Sequence, residues 1–141
     1  MKLNPSKHSQ LEYVGKMLRL DYIRVFGSAL KSWAKARDID LVISSQKDLG
    51  LRELSLLHSE LQKIFHKRPD IVLVRRSLSP TLVKVIASTS HPLWENPKNG
   101  RQTYIEQIDK LWAIANDEEL GRNPAIAYAS LKNRQRKLHG S

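Results

Sequence analysis

The chain has 141 residues, of which 40% are hydrophobic, and a formal net charge of +10. This length allows one hydrophobic core and excludes two independent ones, and the absence of cysteine excludes disulfides and thiolate metal sites. No run of 18 apolar residues exists and no hydrophobic stretch follows the charges of the opening MKLNPSKHSQ, so we expect a cytoplasmic protein and no membrane association.

The first half of the chain alternates between helical and strand patterns. Ser6 is expected to cap a first helix, with apolar residues at helical spacing at Leu11, Val14 and Leu18. Short apolar runs at residues 22–26 and 39–43 predict two strands. Asp48 precedes a second predicted helix, whose apolar face comprises Leu51, Leu54, Leu57, Leu61, Ile64 and Phe65.

The second half begins with a third predicted strand at residues 70–74. Ser79 and Pro80 predict the start of a short helix that ends near residue 88, and residues 91–95 predict a short edge strand. Residues 96–100 are the clearest break. A helix follows, with an apolar stripe at Tyr104, Ile105, Ile108, Leu111, Trp112 and Ala115. A last, basic helix is predicted from Asn123 onward.

This alternation predicts an α/β (α+β) fold, in which helices pack on a small mixed β-sheet. Residues 1–96 would form the core. Residues 97–141 would form a C-terminal helical extension of the same compact domain. We find no internal repeat or low-complexity tract.

The segment from residue 22 to residue 43 carries the most chemical information. Its first strand ends at Gly27 and Ser28, whose backbone N–H groups and hydroxyl suit a phosphate. Asp38 and Asp40 open the next strand and, two residues apart, point to the same face. Two adjacent carboxylates repel each other unless a cation lies between them, and oxygen ligands suit Mg²⁺. The segment therefore predicts a nucleotide and metal site. An ordinary turn followed by a solvated strand start is the alternative.

Basic residues surround this segment. Lys31, Lys35 and Arg37 lie between the turn and the second strand, where they would contact a triphosphate or form a solvated loop face. Trp33, in the same spacer, would either stack on a base or anchor the loop to the core. The net positive charge attracts phosphates of a nucleotide or nucleic acid, or an acidic partner protein, and simple solubility is the alternative.

The segment resembles the DNA polymerase β-like nucleotidyltransferase superfamily, in which a strand, Gly-Ser, a spacer and Asp-x-Asp follow one another. That superfamily places a third carboxylate on a later strand, and Asp70 matches it here. The resemblance extends over roughly residues 8 to 95. By size the chain is most similar to the minimal nucleotidyltransferase (MNT) antitoxin that accompanies a HEPN ribonuclease toxin. The spacer of this chain, residues 29–37, carries Trp33 and basic residues where minimal nucleotidyltransferases commonly have another glycine.

The resemblance implies roles for these residues. Asp38, Asp40 and Asp70 would be the catalytic carboxylates and would hold two Mg²⁺ ions, with Asp70 as ligand or general base. A strand end that caps a turn is the alternative for Asp70. Gly27 and Ser28 would bind the β- and γ-phosphates of ATP or another nucleoside triphosphate. The remaining nucleotide-binding candidates are Lys31 and Arg37.

The function that the resemblance implies is transfer of a nucleoside monophosphate, AMP from ATP, to a hydroxyl. The acceptor would be a Tyr, Ser or Thr of a partner toxin (AMPylation), or the 3′ end of an RNA such as tRNA. A binding module that keeps the fold without catalysis is a third hypothesis. A chain this short has little room for an acceptor-binding domain, so we expect a partner protein or a homodimer.

Overall fold

The structure, a computed structural model, describes residues 3–74 and 78–120. The last predicted helix lies outside these residues. The described elements, in chain order, are α1 (Pro5–Met17), β1 (Leu20–Phe26), a 3₁₀ turn (Gly27–Leu30), β2 (Asp38–Ser45), α2 (Leu51–Phe65), β3 (Arg68–Leu73), α3 (Pro80–Thr89), β4 (His91–Glu95) and α4 (Gly100–Leu120). The predicted helices and strands in these ranges are confirmed, with ends that shift by a few residues.

The four described strands form one mixed sheet in the order β3-β2-β1-β4. β1 is antiparallel to both β2 and β4, whereas β2 and β3 are parallel. Parallel neighbours need a crossover connection, which α2 provides. β4 lies at an edge of the sheet, as predicted. The crossover also matters for the site, because it brings the start of β3 beside the start of β2.

Helices cover both faces of the sheet. On one face, alternate β2 residues Ile39, Leu41 and Ile43 are fully buried in a cluster with residues of α1 and α2. On the other face, Tyr22 and Val42 pack with Ile86 of α3 and Tyr104 of α4. The strand alternation that the sequence shows therefore separates two cores. Within the described ranges, no helix is both long enough and apolar enough to pass through a membrane.

The predicted cap of α1 is wrong, and two apolar residues of the predicted helix faces are exposed. Asn4, not Ser6, caps α1, and its Oδ1 accepts a hydrogen bond from the Lys7 N–H at 2.8 Å. Pro5 then occupies the first helical position, where its fixed φ favours the helix. Leu51 is 83% exposed because it lies in the first turn of α2, beyond the reach of the sheet, and Ile105 is 45% exposed. The cap of α3 is confirmed, since Ser79 accepts from the Leu82 N–H.

A buried polar network joins α4 to the sheet. Asp21, 4% exposed, accepts hydrogen bonds from the Ser44 hydroxyl at 2.7 Å and the Asn99 amide at 2.9 Å. Gln107 of α4 donates to Ser44 and accepts from the Tyr22 hydroxyl at 2.7 Å. Burial raises the pKa of Tyr22, so its hydroxyl stays protonated as the donor. These bonds fix α4 against the sheet and satisfy buried polar groups that would otherwise cost free energy.

Gly15 permits the closest contact between α1 and the sheet. A Cβ at this position would lie 2.5 Å from two ring atoms of Trp94, which is 3% exposed. We expect Gly15→Ala to destabilise the fold by about 1–3 kcal/mol, because overpacking a rigid buried ring outweighs the gain of about 1 kcal/mol in helix propensity. Urea unfolding measures the change. Ser55→Ala, on the exposed side of α2, is the control, and a more stable Gly15→Ala protein would contradict this contact.

Candidate nucleotide and metal site

The site begins where β1 ends. Phe26 is extended, and Gly27 then turns the chain with φ +80° into the 3₁₀ turn. The positive φ favours glycine here, and a Cβ at Gly27 would lie 2.5 Å from Asp40 Oδ2, so any larger residue would displace that carboxylate. Ser28 is exposed at the turn, and its carbonyl accepts from the N–H groups of Lys31 and Ser32. The turn thus lies directly against a carboxylate of β2.

The three predicted carboxylates lie on one face of adjoining strands. Asp38 and Asp40 alternate with the buried Ile39 on β2. In the parallel register, Asp70 of β3 is the partner of Asp40. Desolvation raises the pKa of Asp40, and the negative charges of Asp70 and Asp38 raise it further. Two neighbouring carboxylates therefore act on Asp40: Asp38, which spacing along the strand predicted, and Asp70, which the family resemblance implied.

Arg68 is a site residue that the sequence reasoning missed. It is the β3 partner of Asp38, and its Nε lies 3.1 Å from Asp38 Oδ1. The sequence shows that Arg68 lies two residues before Asp70, and this spacing places both on the same face of β3. The sequence does not show the parallel register, on which the pairing of Arg68 with Asp38 depends. Both side chains are about half exposed or more, so the pair contributes little stability.

The donor set fits a hard divalent cation. The groups are carboxylate oxygens only. Desolvation, followed by the negative charges of Asp70 and Asp38, raises the pKa of Asp40, and a bound cation would offset these charges. In the described ranges, however, no three carboxylate or imidazole groups already have a metal-binding arrangement. Asp38 is paired with Arg68 instead. A site that uses all three carboxylates would need these side chains to converge, and Asp38 could keep a hydrogen bond to Arg68 while it ligates the ion.

The spacer between the turn and β2 is held to the core by Trp33 and Lys67. The Trp33 ring packs edge-on against Phe65 with centroids 5.8 Å apart, which agrees with the anchoring hypothesis rather than base stacking. Lys67 lies over the Trp33 ring at 4.9 Å, and its Nζ donates to the carbonyls of Trp33 at 2.7 Å and Ala36 at 2.6 Å. Sequence reasoning did not predict this contact, because Lys67 is far from Trp33 and Ala36 along the chain.

The candidate cations of the spacer are separated. Lys31 follows the 3₁₀ turn and is exposed close to Ser28 along the chain. Arg37 lies at the other end, next to Asp38, and its carbonyl accepts from the Arg68 N–H at 3.1 Å. The structure therefore brings Gly27, the three carboxylates and Arg68 together, and it places Lys31 and Arg37 at opposite ends of the spacer.

Removing the Lys67 ammonium is expected to loosen the spacer. We expect Lys67→Met to lower the free energy of unfolding by about 1 kcal/mol and to speed amide hydrogen exchange in residues 31–37. Lys63→Met is the control, because Lys63 has only an exposed ion pair with Glu60. Unchanged exchange in the spacer would show that Trp33 alone holds it.

Comparisons with known proteins agree with this geometry. A mixed sheet with Gly-Ser after one strand and Asp-x-Asp on the next defines a polymerase β-like nucleotidyltransferase fold. Residues 11–99 match the family described as polymerase beta nucleotidyltransferase, so the chain belongs to that family. No curated protein matches the chain.

Several solved structures share the fold. A chain of a toxin-antitoxin structure with AMP-PNP has a TM-score of 0.56 at 17% identity, and the match covers 80% of this chain and 93% of that one. A second match is a chain from the complex of tri-AMPylated Shewanella oneidensis HEPN toxin with MNT antitoxin. Its TM-score is 0.55 at 17% identity, and the match covers 82% of this chain and 92% of that one. A mutant of the MntA-HpeT toxin-antitoxin pair has a TM-score of 0.59 at 17% identity, with coverage of 84% and 94%. The predicted resemblance and fold class are confirmed.

Proposed function

We propose that this protein is a Mg²⁺-dependent nucleotidyltransferase that moves AMP from ATP to a hydroxyl of a partner protein. The observation that carries the proposal is the convergence of Asp38, Asp40 and Asp70 on one face of β2 and β3, with Gly27 against Asp40. Phosphoryl transfer needs positioning and charge neutralisation more than covalent chemistry by the protein. A small site of this kind is therefore sufficient.

The carboxylates would hold the metal. Asp38 and Asp40 would ligate two Mg²⁺ ions, and Asp70, beside Asp40, would orient the attacking hydroxyl as ligand or general base. When bound, the ions supply Lewis-acid stabilisation of the phosphate charge and lower the pKa of the attacking hydroxyl. Arg68, which pairs with Asp38, would orient that carboxylate, and its exposed guanidinium has further N–H groups for another anion.

The turn would bind the leaving pyrophosphate. Ser28 is exposed, so its hydroxyl can donate to a β- or γ-phosphate oxygen, and the turn backbone can approach because Gly27 has no side chain. Lys31 at the end of the 3₁₀ turn would neutralise the triphosphate. Arg37 lies at the far end of the spacer, next to Asp38 and away from the turn, so we do not assign it a contact with the triphosphate.

The choice of acceptor is supported by the solved structures. They are structures of toxin-antitoxin pairs, one with AMP-PNP and one with an AMPylated HEPN toxin in complex with an MNT antitoxin. The matches cover 93% and 92% of those chains and 80% and 82% of this one. The acceptor would be a Tyr, Ser or Thr hydroxyl of a toxin-like partner. An intracellular, cytoplasmic role fits the use of ATP.

An RNA 3′ end is the second candidate acceptor. The net charge of +10 favours it, because a basic surface attracts phosphodiesters. A non-catalytic module that inhibits a partner by contact would need none of the three carboxylates. The negative charges of Asp38 and Asp70 disfavour ionised Asp40 in the folded state, and a module that binds no cation would gain nothing from this arrangement.

The decisive experiment supplies each labelled nucleoside triphosphate with Mg²⁺ to the purified protein. Parallel reactions contain total cell protein or total cell RNA, and Asp38→Ala/Asp40→Ala is the inactive control. Label in protein from ATP alone is the expected result. Label in RNA would support the second acceptor. No label above that of the double variant in either reaction would overturn the enzymatic proposal in favour of the binding module.

A further inference from the structure

A basic cavity lies beside the carboxylates, at the end of α2 and the start of β3. Its volume is about 600 Å³, and the basic residues that line it are Arg37, Lys63, His66, Lys67 and Arg68. The other described lining residues are uncharged. Arg68 also contacts Asp38, so the cavity opens directly next to the candidate active site.

The cations of this cavity are incompletely neutralised. Arg68 has Asp38 and Lys63 has Glu60, at 3.1 Å and 3.7 Å, but both pairs are exposed. Lys67 donates to carbonyl groups, which carry no net charge. In the described part of the chain, the Arg37 and His66 side chains have no ion-pair partner. Arg37, Lys63, His66 and Arg68 are exposed, so their donor groups can turn toward an anion that enters the cavity.

The sheet order separates this cavity from the Gly27-Ser28 turn. β2, which carries Asp38 and Asp40, lies between β1 and β3. The turn follows β1, whereas Arg68 opens β3, so the two anion-attracting features flank the carboxylates from opposite sides. If the turn holds the triphosphate, as proposed above, the cavity is left for a second anionic group.

We infer that this cavity is a second phosphate-binding site, on the acceptor side of the carboxylates. Two guanidinium groups, Arg37 and Arg68, offer the paired donors that suit phosphate oxygens, and an ammonium and an imidazole add donors beside them. A single carboxylate would leave most of these donors without a partner, whereas a phosphate chain matches them. The phosphates come either from an RNA backbone or from a free polyphosphate or nucleotide. Only the acceptor-side location rests on the proposed function.

The test compares wild type with two variants that lose the same charge. Arg37→Gln/Lys63→Gln removes two exposed cations of the cavity, and Arg101→Gln/Lys110→Gln removes two exposed cations of α4. Inorganic tripolyphosphate binding is measured by calorimetry, and binding of a labelled single-stranded RNA by fluorescence anisotropy across a salt series. A labelled poly-glutamate peptide is the third probe. Circular dichroism and melting curves confirm that both variants fold.

We expect the cavity variant to bind phosphate at least about tenfold more weakly than the α4 variant. If RNA is the ligand, the slope of log K against log salt falls by about 1.4, at about 0.7 for each lost contact. Loss of tripolyphosphate binding alone identifies the free form as the source. Equal weakening in both variants, unchanged binding in the cavity variant, or cavity-dependent binding of poly-glutamate alone would each overturn the inference.

The binding readout is independent of catalysis. Asp38→Ala/Asp40→Ala, which ends transfer under the proposed function, frees Arg68 and removes negative charge beside the cavity. It should therefore bind tripolyphosphate or RNA at least as tightly as wild type. If the wild-type protein transfers no label and still binds phosphate in the cavity, the enzymatic proposal is refuted and this inference stands. A protein that transfers label without cavity-dependent binding refutes this inference alone.

Discussion

Asp40→Asn is expected to lower nucleotidyl transfer by a factor of about 10³ or more while leaving the protein folded. Asp40 is the central carboxylate, with Asp38 two residues before it and Asp70 beside it in register. Its loss removes several kcal/mol of metal-dependent charge stabilisation, at about tenfold in rate for each 1.4 kcal/mol. The initial rate of labelled AMP transfer at saturating Mg²⁺ measures the effect.

The same substitution should make the metal-free protein more stable at neutral pH. Desolvation and the charges of Asp70 and Asp38 raise the pKa of Asp40 in the folded state, so the fold disfavours its charged form. The loss of folding stability is absent below the pKa that Asp40 has in the unfolded chain. It is fully present once the pH has risen above the pKa that Asp40 has in the folded protein. Asn carries no charge and avoids the cost at every pH. Urea unfolding in EDTA at pH 4 and pH 7 measures it.

Asp48→Asn is the matched control, since Asp48 is an exposed residue of the loop before α2. It should change neither transfer nor the pH dependence of stability. Mg²⁺ should raise the melting temperature of wild type and of this control, but not that of Asp40→Asn. A less stable Asp40→Asn protein in EDTA would show that Asp40 has a structural partner. Retained transfer would exclude it as a metal ligand.

The order of helices and strands could be predicted because burial alternates with a clear period. Ile39, Leu41 and Ile43 lie on one face of β2 and are buried there. The same period places Asp38 and Asp40 together on the other face. The Gly27 turn was predictable for a similar local reason, since its residues and the carboxylates are close in sequence. Local spacing therefore determined most of the candidate site.

The features that sequence reasoning missed depend on contacts between distant segments. Arg68 meets Asp38 only because α2 returns the chain to a parallel strand in one register. The same crossover brings Lys67 to the carbonyls of Trp33 and Ala36, about thirty residues earlier in the chain. The wrong cap at Ser6 has a local cause instead, because Pro5 occupies the first helical position and makes Asn4 the cap.

Gly27→Ala is expected to lower transfer by about 100-fold through Asp40. The new Cβ would lie 2.5 Å from Asp40 Oδ2, so the carboxylate must move from its place beside Asp70. A displacement of about 1 Å at a reacting site is enough for a loss of this size. The positive φ of +80° adds a cost in stability of about 1–2 kcal/mol. Transfer rates and urea unfolding measure the two effects.

Two comparisons separate the carboxylate from the backbone turn as the cause. Gly50→Ala is the glycine control, because a Cβ there meets only Glu53 Oε1 at 3.6 Å, an ordinary contact, so transfer should be unchanged. In the double variant Gly27→Ala/Asp40→Asn, transfer should be no slower than in Asp40→Asn alone, since a displaced carboxylate and a missing one have the same consequence. Additive losses would instead show that Gly27 acts on the phosphates through the turn. Full activity of Gly27→Ala would mean that the position of Asp40 does not limit the reaction.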